Sequence, residues 1–342
     1  MTPPPRETID HIVGAAGRAP SVHNTQPWRF EVGRFEVGRP GVGVADGAVL
    51  DLWADRSRQL AVLDPDGRQL HLSCGAALEH ARVSARALGV DVAVTLLPDP
   101  SRPDHLARLV LTLGGEASTD ETELADAALR RSTHRSPFAS HRVPEQLLEV
   151  LRLAVDAEGA GLRTVRKPDD LVALTVLLSH ADEEEMRDPA YLDELAAWTD
   201  LPGQPQEGIP AVALDPHSGE GSSLTLRRFT QAEPVAPADP PPAEHPDVVV
   251  VVTSSDAALD WLLAGQALGA LLLHAARHGV LAQPLGQVTD QRAYRLRLRQ
   301  ALGLAGIPQM ALRLGYPEGI AARTGRRDVA EMLRPVSGEE TR

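Results

Sequence analysis

The chain has 342 residues, 43% of them hydrophobic but only 3% aromatic, and a formal net charge of -13. Its length suits two ordinary domains or one fused domain whose core is built from Leu, Val and Ala, and the fused form is favoured. The charge opposes nucleic-acid binding, which needs a basic face, and the lone cysteine, Cys74, allows no internal disulfide.

Lys167 is the only lysine and follows no phosphate-cradling glycine loop, which argues against a Walker loop and a pyridoxal Schiff base. No GxGxxG, HExxH or CxxC motif occurs. The first ten residues carry neither a basic nor an apolar leader feature, and the most apolar run, 262–273, contains Gln266 and falls short of the roughly 20 residues of a bilayer span. A cytoplasmic protein without a membrane segment is expected.

Ile9, Ile12, Val13 and Ala16 share one face of a first helix, with Gly17 as its expected stop. After APSVHNTQP, residues 28–32 and 50–54 alternate as strands, and a long helix is expected over 66–88, ended by Gly89. Strand-like runs follow at 90–97 and 108–114. A second series repeats the order. Pro144 opens a helix carrying Leu147, Leu148, Leu151 and Val155, and 162–167 reads as extended. The run DVVVVVTSS is a buried strand whose serines are expected to cap a helix over 256–278, and 281–285, a helix over 296–302 and MALRLGYP close the series.

The two long helices superpose at a constant spacing of 190 positions, as between Gly75 and Gly265 or Gly89 and Gly279. This implies an internal duplication and an α+β sandwich with a joint core. The halves are placed at 1–118 and 119–335, with a tail at 336–342. Within the second half, 201–246 holds ten of the 28 prolines and reads either as a solvated loop or as a flap over a ligand site.

The strongest local signal is RRSTHRSPF: Arg130, Arg131, Ser132, His134 and Arg135 suit a terminal phosphate, since guanidinium groups grip phosphate oxygens bidentately. A solvated basic turn after an acidic helix would look the same in isolation. Cys74 reads as a packing residue, and His71, His80, His274 and His278 as helix residues that pack, cap or face solvent.

RRSTHRSPF followed by VPEQLLEVLRLAV resembles the phosphate-binding start of the nitroreductase family, and RAPSVHNTQPWRFEV resembles that family's second signature. The resemblance implies a three-layer nitroreductase-like sandwich whose two tandem halves form an intramolecular pseudo-dimer, a monomeric protein holding one FMN. Pro20, Ser21, His23, Asn24 and Gln26 match the turn that reaches the flavin. Pro284, Leu285, Gly286 and Gln287 in AQPLGQ resemble the strand end beside the flavin ring, and Arg323, Arg326 and Arg327 resemble the basic C-terminal element that reaches its phosphate.

The two signatures stand over 100 residues apart and in reverse order, as expected if each half keeps one complementary side of a single site. ADRSRQLAVLDPDGRQLHLSCGAALEHAR and QPLGQVTD resemble the Acg-like, dormancy-associated branch in particular. The resemblance implies an oxidoreductase that takes electrons from NADH or NADPH and passes them to a nitroaromatic, quinone or similar small acceptor. Its alternative is an FMN-binding or storage protein whose nicotinamide position is blocked by the flap.

Overall fold

The computed structural model describes residues 2–39, 42–199, 206–214, 224–229, 244, 246–319 and 323–335. The expected tail and much of the Pro-rich stretch, namely 200–205, 215–223, 230–243 and 245, lie outside the described residues.

In chain order the first series is α1 (Arg6–Ala16), β1 (Trp28–Arg39), β2 (Val42–Ala54), α2 (Arg68–Ala87), β3 (Val90–Leu96) and β4 (His105–Leu113). After α3 (Thr119–Arg130) come α4 (Glu145–Ala157), β5 (Gly161–Val165), α5 (Pro168–Glu185), α6 (Pro189–Ala196), β6 (Asp247–Thr253), α7 (Ala258–Arg277), β7 (Leu281–Pro284), α8 (Gln287–Asp290), α9 (Arg292–Ala301) and β8 (Ile307–Gly315). The last described elements are α10 (Val329–Met332) and β9 (Leu333–Pro335).

The first sheet has the order β3-β4-β2-β1-β9 and the second, read from its other edge, β7-β8-β6-β5. The four shared strands therefore have one antiparallel topology in both halves. Between the sheets lies a helical layer centred on α2 against α7, so three layers form, as the duplication requires.

Each sheet buries apolar side chains toward that layer: Leu50, Leu52, Leu109 and Leu111 from the first, Val249, Val251 and Leu312 from the second. Val248 and Val250 point the other way, into a further core with Leu174 and Leu178 of α5 and Leu298 of α9. Hence the unbroken valine run of β6 is buried on both faces. The central helix α7 is long and apolar enough to cross a membrane by length and composition, and it is mostly buried inside the protein.

Gly89 and Gly279 follow α2 and α7 at φ of 69° and 74°, the left-handed conformation that ends a helix and favours glycine. Gly17 behaves differently. It ends α1 at an ordinary φ of -60°, and its missing side chain makes room for Met332, whose methyl would stand 2.6 Å from a Cβ.

Serine capping of α7 also runs the other way round. The Asp260 carboxylate accepts the N–H groups of Ser255 (3.3 Å) and Ala257 (3.1 Å), reaching back from the helix's first turn. Helices α5 and α6 have no counterpart in the expected series. The buried face of α5 includes Asp182 and Glu185 among Leu174, Leu178 and Ala181, which breaks the apolar stripe that periodicity reads.

Candidate functional site

The turn between α1 and β1 holds three residues in left-handed conformation: His23 at φ 45°, Asn24 at 56° and Gln26 at 48°. Each such placement costs about 1–3 kcal/mol unless its surroundings enforce it. Here Ser21 Oγ accepts the Gln26 N–H (2.9 Å), and Asn24 Nδ2 donates to the carbonyls of Gly208 (3.0 Å) and Gly325 (3.2 Å). Gln26 Nε2 donates to the Gln206 carbonyl (2.7 Å), and its Oε1 accepts the Arg327 N–H (2.9 Å). Asn24 and Gln26 thus clip the turn to the Pro-rich insertion and to the C-terminal segment.

Pro20, Ser21 and His23 of this turn line a cleft together with Gln69, Leu72 and Ser73 of α2, Thr133 and Arg135, and Pro284 and Gly286 at the end of β7. Ile209, Arg227 and Phe229 from the insertion close another side. Arg227 Nη1 donates to His23 Nε2 (3.3 Å). A guanidinium cannot accept, so the His23 proton sits on Nδ1, which has no partner among the described residues. Burial, reinforced by Arg227 and Arg135, holds the His23 pKa well below its ordinary value.

Arg227 is anchored by the Asp290 carboxylate and by Glu185 (3.4 Å), and burial pushes the Glu185 pKa up to about 7.

A second cleft shares Thr133 and Arg135 with the first and is lined by Arg18, Arg131, Ser132, Arg323, Thr324 and Arg326. Arg131 is 8% exposed; one of its Nη groups donates to the Arg18 carbonyl (3.0 Å) and its Nε meets nothing among the described residues. Burial lowers its pKa to about 9, with Arg326 adding to the effect, and lowers those of Arg135 and Arg326 to about 10.

The other deeply buried arginines face acids: Arg68 has Asp290, Arg227 has Asp290 and Glu185, and Arg313 has Glu244. Among the described residues none of Arg18, Arg131, Arg135 and Arg326 has a carboxylate within 4 Å. Arg18 is exposed, but Arg131 is buried and Arg135 and Arg326 are half-buried, and charge withdrawn from water without a partner is costly. A cluster of this kind is suited to an anion supplied from outside.

Several expected site residues stand elsewhere. Arg130 is exposed at the end of α3 and lines neither cleft. His134 packs on Phe138 with Nε2 against the Pro137 carbonyl (3.0 Å), and its N–H donates to the Ala282 carbonyl, which ties the loop to β7. Leu285 is buried, its N–H on the Ala311 carbonyl (2.8 Å), and Gln287 donates to the Thr225 carbonyl (3.1 Å). Arg327 spans the carbonyls of Gln26 and Trp28 and lies beside Glu207 and Glu331, while Arg323 is exposed at the rim of the arginine cluster.

Sequence reasoning passed over Arg18, Gln69, Ser73, Arg227 and Phe229. Gln69 and Ser73, one turn apart at the start of a predicted helix, were the detectable signal.

The model of the nitroreductase family matches residues 1–35. A Mycobacterium tuberculosis protein named "Putative NAD(P)H nitroreductase Rv3131" is 33% identical over 92% of this chain and 86% of its own length. Another from the same organism, "Putative NAD(P)H nitroreductase acg", is 30% identical over 96% and 95%. The chain belongs to the nitroreductase family. The fold of a "putative nitroreductase" from Anabaena variabilis matches over 91% of this chain and 88% of that one, with a TM-score of 0.50 at 9% identity.

Proposed function

We propose that the chain binds FMN across the two joined clefts and acts as an NAD(P)H-dependent oxidoreductase on a nitroaromatic, quinone or similar small acceptor. The observation that carries this reading is the continuity of an amphipathic cleft, through Thr133 and Arg135, with a partly buried arginine cluster that has no carboxylate partner among the described residues. The orphaned Nε atoms of Arg131 and Arg326 fit a phosphate, and the unpartnered His23 Nδ1–H fits a ring carbonyl or nitrogen. When bound, the flavin supplies the acceptance and release of a hydride.

The protein's own part is placement. Arg131, Arg135 and Arg326 hold the phosphate, Pro20, Ser21 and His23 meet one side of the ring, and Pro284 and Gly286 meet it from the other half. Leu72 and Met310 exclude water. An anaerobic absorbance spectrum tests the reading. A flavin band that bleaches on NADPH addition supports it, and a colourless protein that takes up no added FMN overturns it.

The second reading, flavin binding with the nicotinamide position blocked, is favoured by Ile209, Arg227 and Phe229 lining the cleft from the insertion. Under it the flavin band persists when NADPH is added and bleaches with dithionite.

A further inference from the structure

Arg135 lines both clefts, the amphipathic one and the one that gathers the other arginines. Its backbone is fixed, because the buried Arg313 guanidinium donates to the carbonyls of Arg135 (3.3 Å) and Ser136 (3.1 Å) and pairs with Glu244. The side chain meets the Pro-rich insertion twice. Its Nη1 donates weakly to the Ala213 carbonyl (3.5 Å), and its guanidinium lies over the Phe229 ring. Nε and Nη2 make no hydrogen bond among the described residues, and neither is sealed from solvent.

The insertion's other contacts need no ligand. Arg227 rests on the Asp290 and Glu185 carboxylates, Arg228 on that of Asp182, and Glu207 on Arg58. Asn24 and Gln26 donate to the carbonyls of Gly208 and Gln206. The Arg135 contact differs from all of these. Docking Ala213 and Phe229 against it withdraws from water a guanidinium that no described carboxylate compensates. The ring face and the carbonyl offset only part of that cost.

An anion held by Arg131, Arg135 and Arg326 supplies the missing charge through the Arg135 N–H groups that the insertion leaves free. It thereby removes a penalty that exists only in the docked state. By linkage, docking tightens the hold on the anion by the same factor. We propose that a phosphate in the arginine cluster closes the insertion over the neighbouring cleft, with Arg135 as the residue that couples the two. The phosphate group of FMN and inorganic phosphate share this chemistry. From the flavin reading the proposal takes only that the cluster receives a phosphate.

Hydrogen exchange of peptides covering 206–214 and 224–229 reads the closure, since the Arg228 N–H donates to the Asp182 carboxylate (3.0 Å) across the docked interface. Inorganic phosphate and FMN are each expected to slow it by about 5- to 150-fold, the usual span of coupling between sites. Riboflavin, which lacks the phosphate, is not. Arg135→Met removes the uncompensated charge and leaves Arg18, Arg131 and Arg326 to bind phosphate. At a phosphate concentration shown by calorimetry to saturate this variant, its exchange is expected to match that without the anion. Arg131, whose described partner is the Arg18 carbonyl, is the control. Arg131→Met is expected to need more phosphate and to slow by the full factor once saturated.

Parent exchange unchanged by saturating phosphate overturns the proposal, as does an equal response in Arg135→Met or an equal effect of riboflavin and FMN. FMN uptake without any slowing removes the coupling and spares the flavin reading. Slowing by phosphate in a chain that takes up no flavin does the reverse.

Discussion

Gly75 and Gly265 lie against each other where α2 crosses α7: a methyl on Gly75 would stand 2.9 Å from the Gly265 Cα, and one on Gly265 would stand 2.8 Å from the Gly75 Cα. Each would also run into a backbone carbonyl of the opposite helix, that of Leu262 or of Leu72. The pair equivalent by duplication therefore sits where the two halves touch. Replacing either by Ala forces the helices apart, at about 1–3 kcal/mol each. Because the two methyls compete for one gap, the double variant is expected to cost less than the sum. Urea unfolding of the three variants checks both statements.

The arginine cluster predicts opposite effects on stability and binding. Arg131→Met removes a buried charge that lacks an acid, so the flavin-free protein is expected to melt no lower than the parent. FMN affinity is expected to fall roughly 10- to 150-fold, as lost charge-assisted contacts of about 1.5–3 kcal/mol imply. Arg326→Ala should lose affinity likewise, whereas the exposed Arg130→Ala should not. Fluorescence titration measures all three, and equal losses at Arg130 and Arg131 would misplace the phosphate.

His80 predicts a pH dependence. Its folded pKa of about 3 lies below the ordinary 6.5, so the unfolded chain takes up the proton first as pH falls. Stability present above pH 6.5 is then lost progressively toward pH 3. His80→Phe should flatten that acid limb. Asp64 and Glu185, with pKa values raised to about 6 and 7 by burial, work the other way, since their charged forms disfavour the fold as pH rises. Melting temperatures of parent and variant between pH 4 and 8 separate these contributions.

Phe229 lies under the Arg135 guanidinium (5.3 Å to the ring centroid) and edge-on to His23 (6.2 Å). If the insertion blocks the nicotinamide position, Phe229→Ala opens it without disturbing the Arg227 anchor. NADPH oxidation by the FMN-loaded variant is then expected to rise above the parent's. No rise in stopped-flow traces argues against occlusion by this side chain.

Much of this was legible in the sequence because periodicity and glycine placement are local. The helix faces of Ile9 to Ala16 and Leu147 to Val155, the valine run of β6 and the 190-residue spacing all carried into the structure. The roles of Asn24, Gln26 and Arg327 were not legible. Their side chains bond to carbonyls and amides some 180 to 300 positions away, and a short motif cannot distinguish a residue that touches a ligand from one that braces the turn presenting it. Arg227 was hidden for a related reason, as it lies in a Pro-rich stretch whose composition reads as a loop.

The last described strand, β9, runs parallel to β1, pairing Leu333 with Phe30, while Met332 accepts the Trp28 indole N–H. Some 300 residues must therefore be synthesised before the first strand gains its final neighbour. Until then a nascent chain exposes that edge, an invitation to mispairing. Arg326 arrives with the same segment, so the anion cluster is assembled only after the roughly 300 residues that separate Arg326 from Arg18 have been made, and cofactor capture belongs to the late stages of folding.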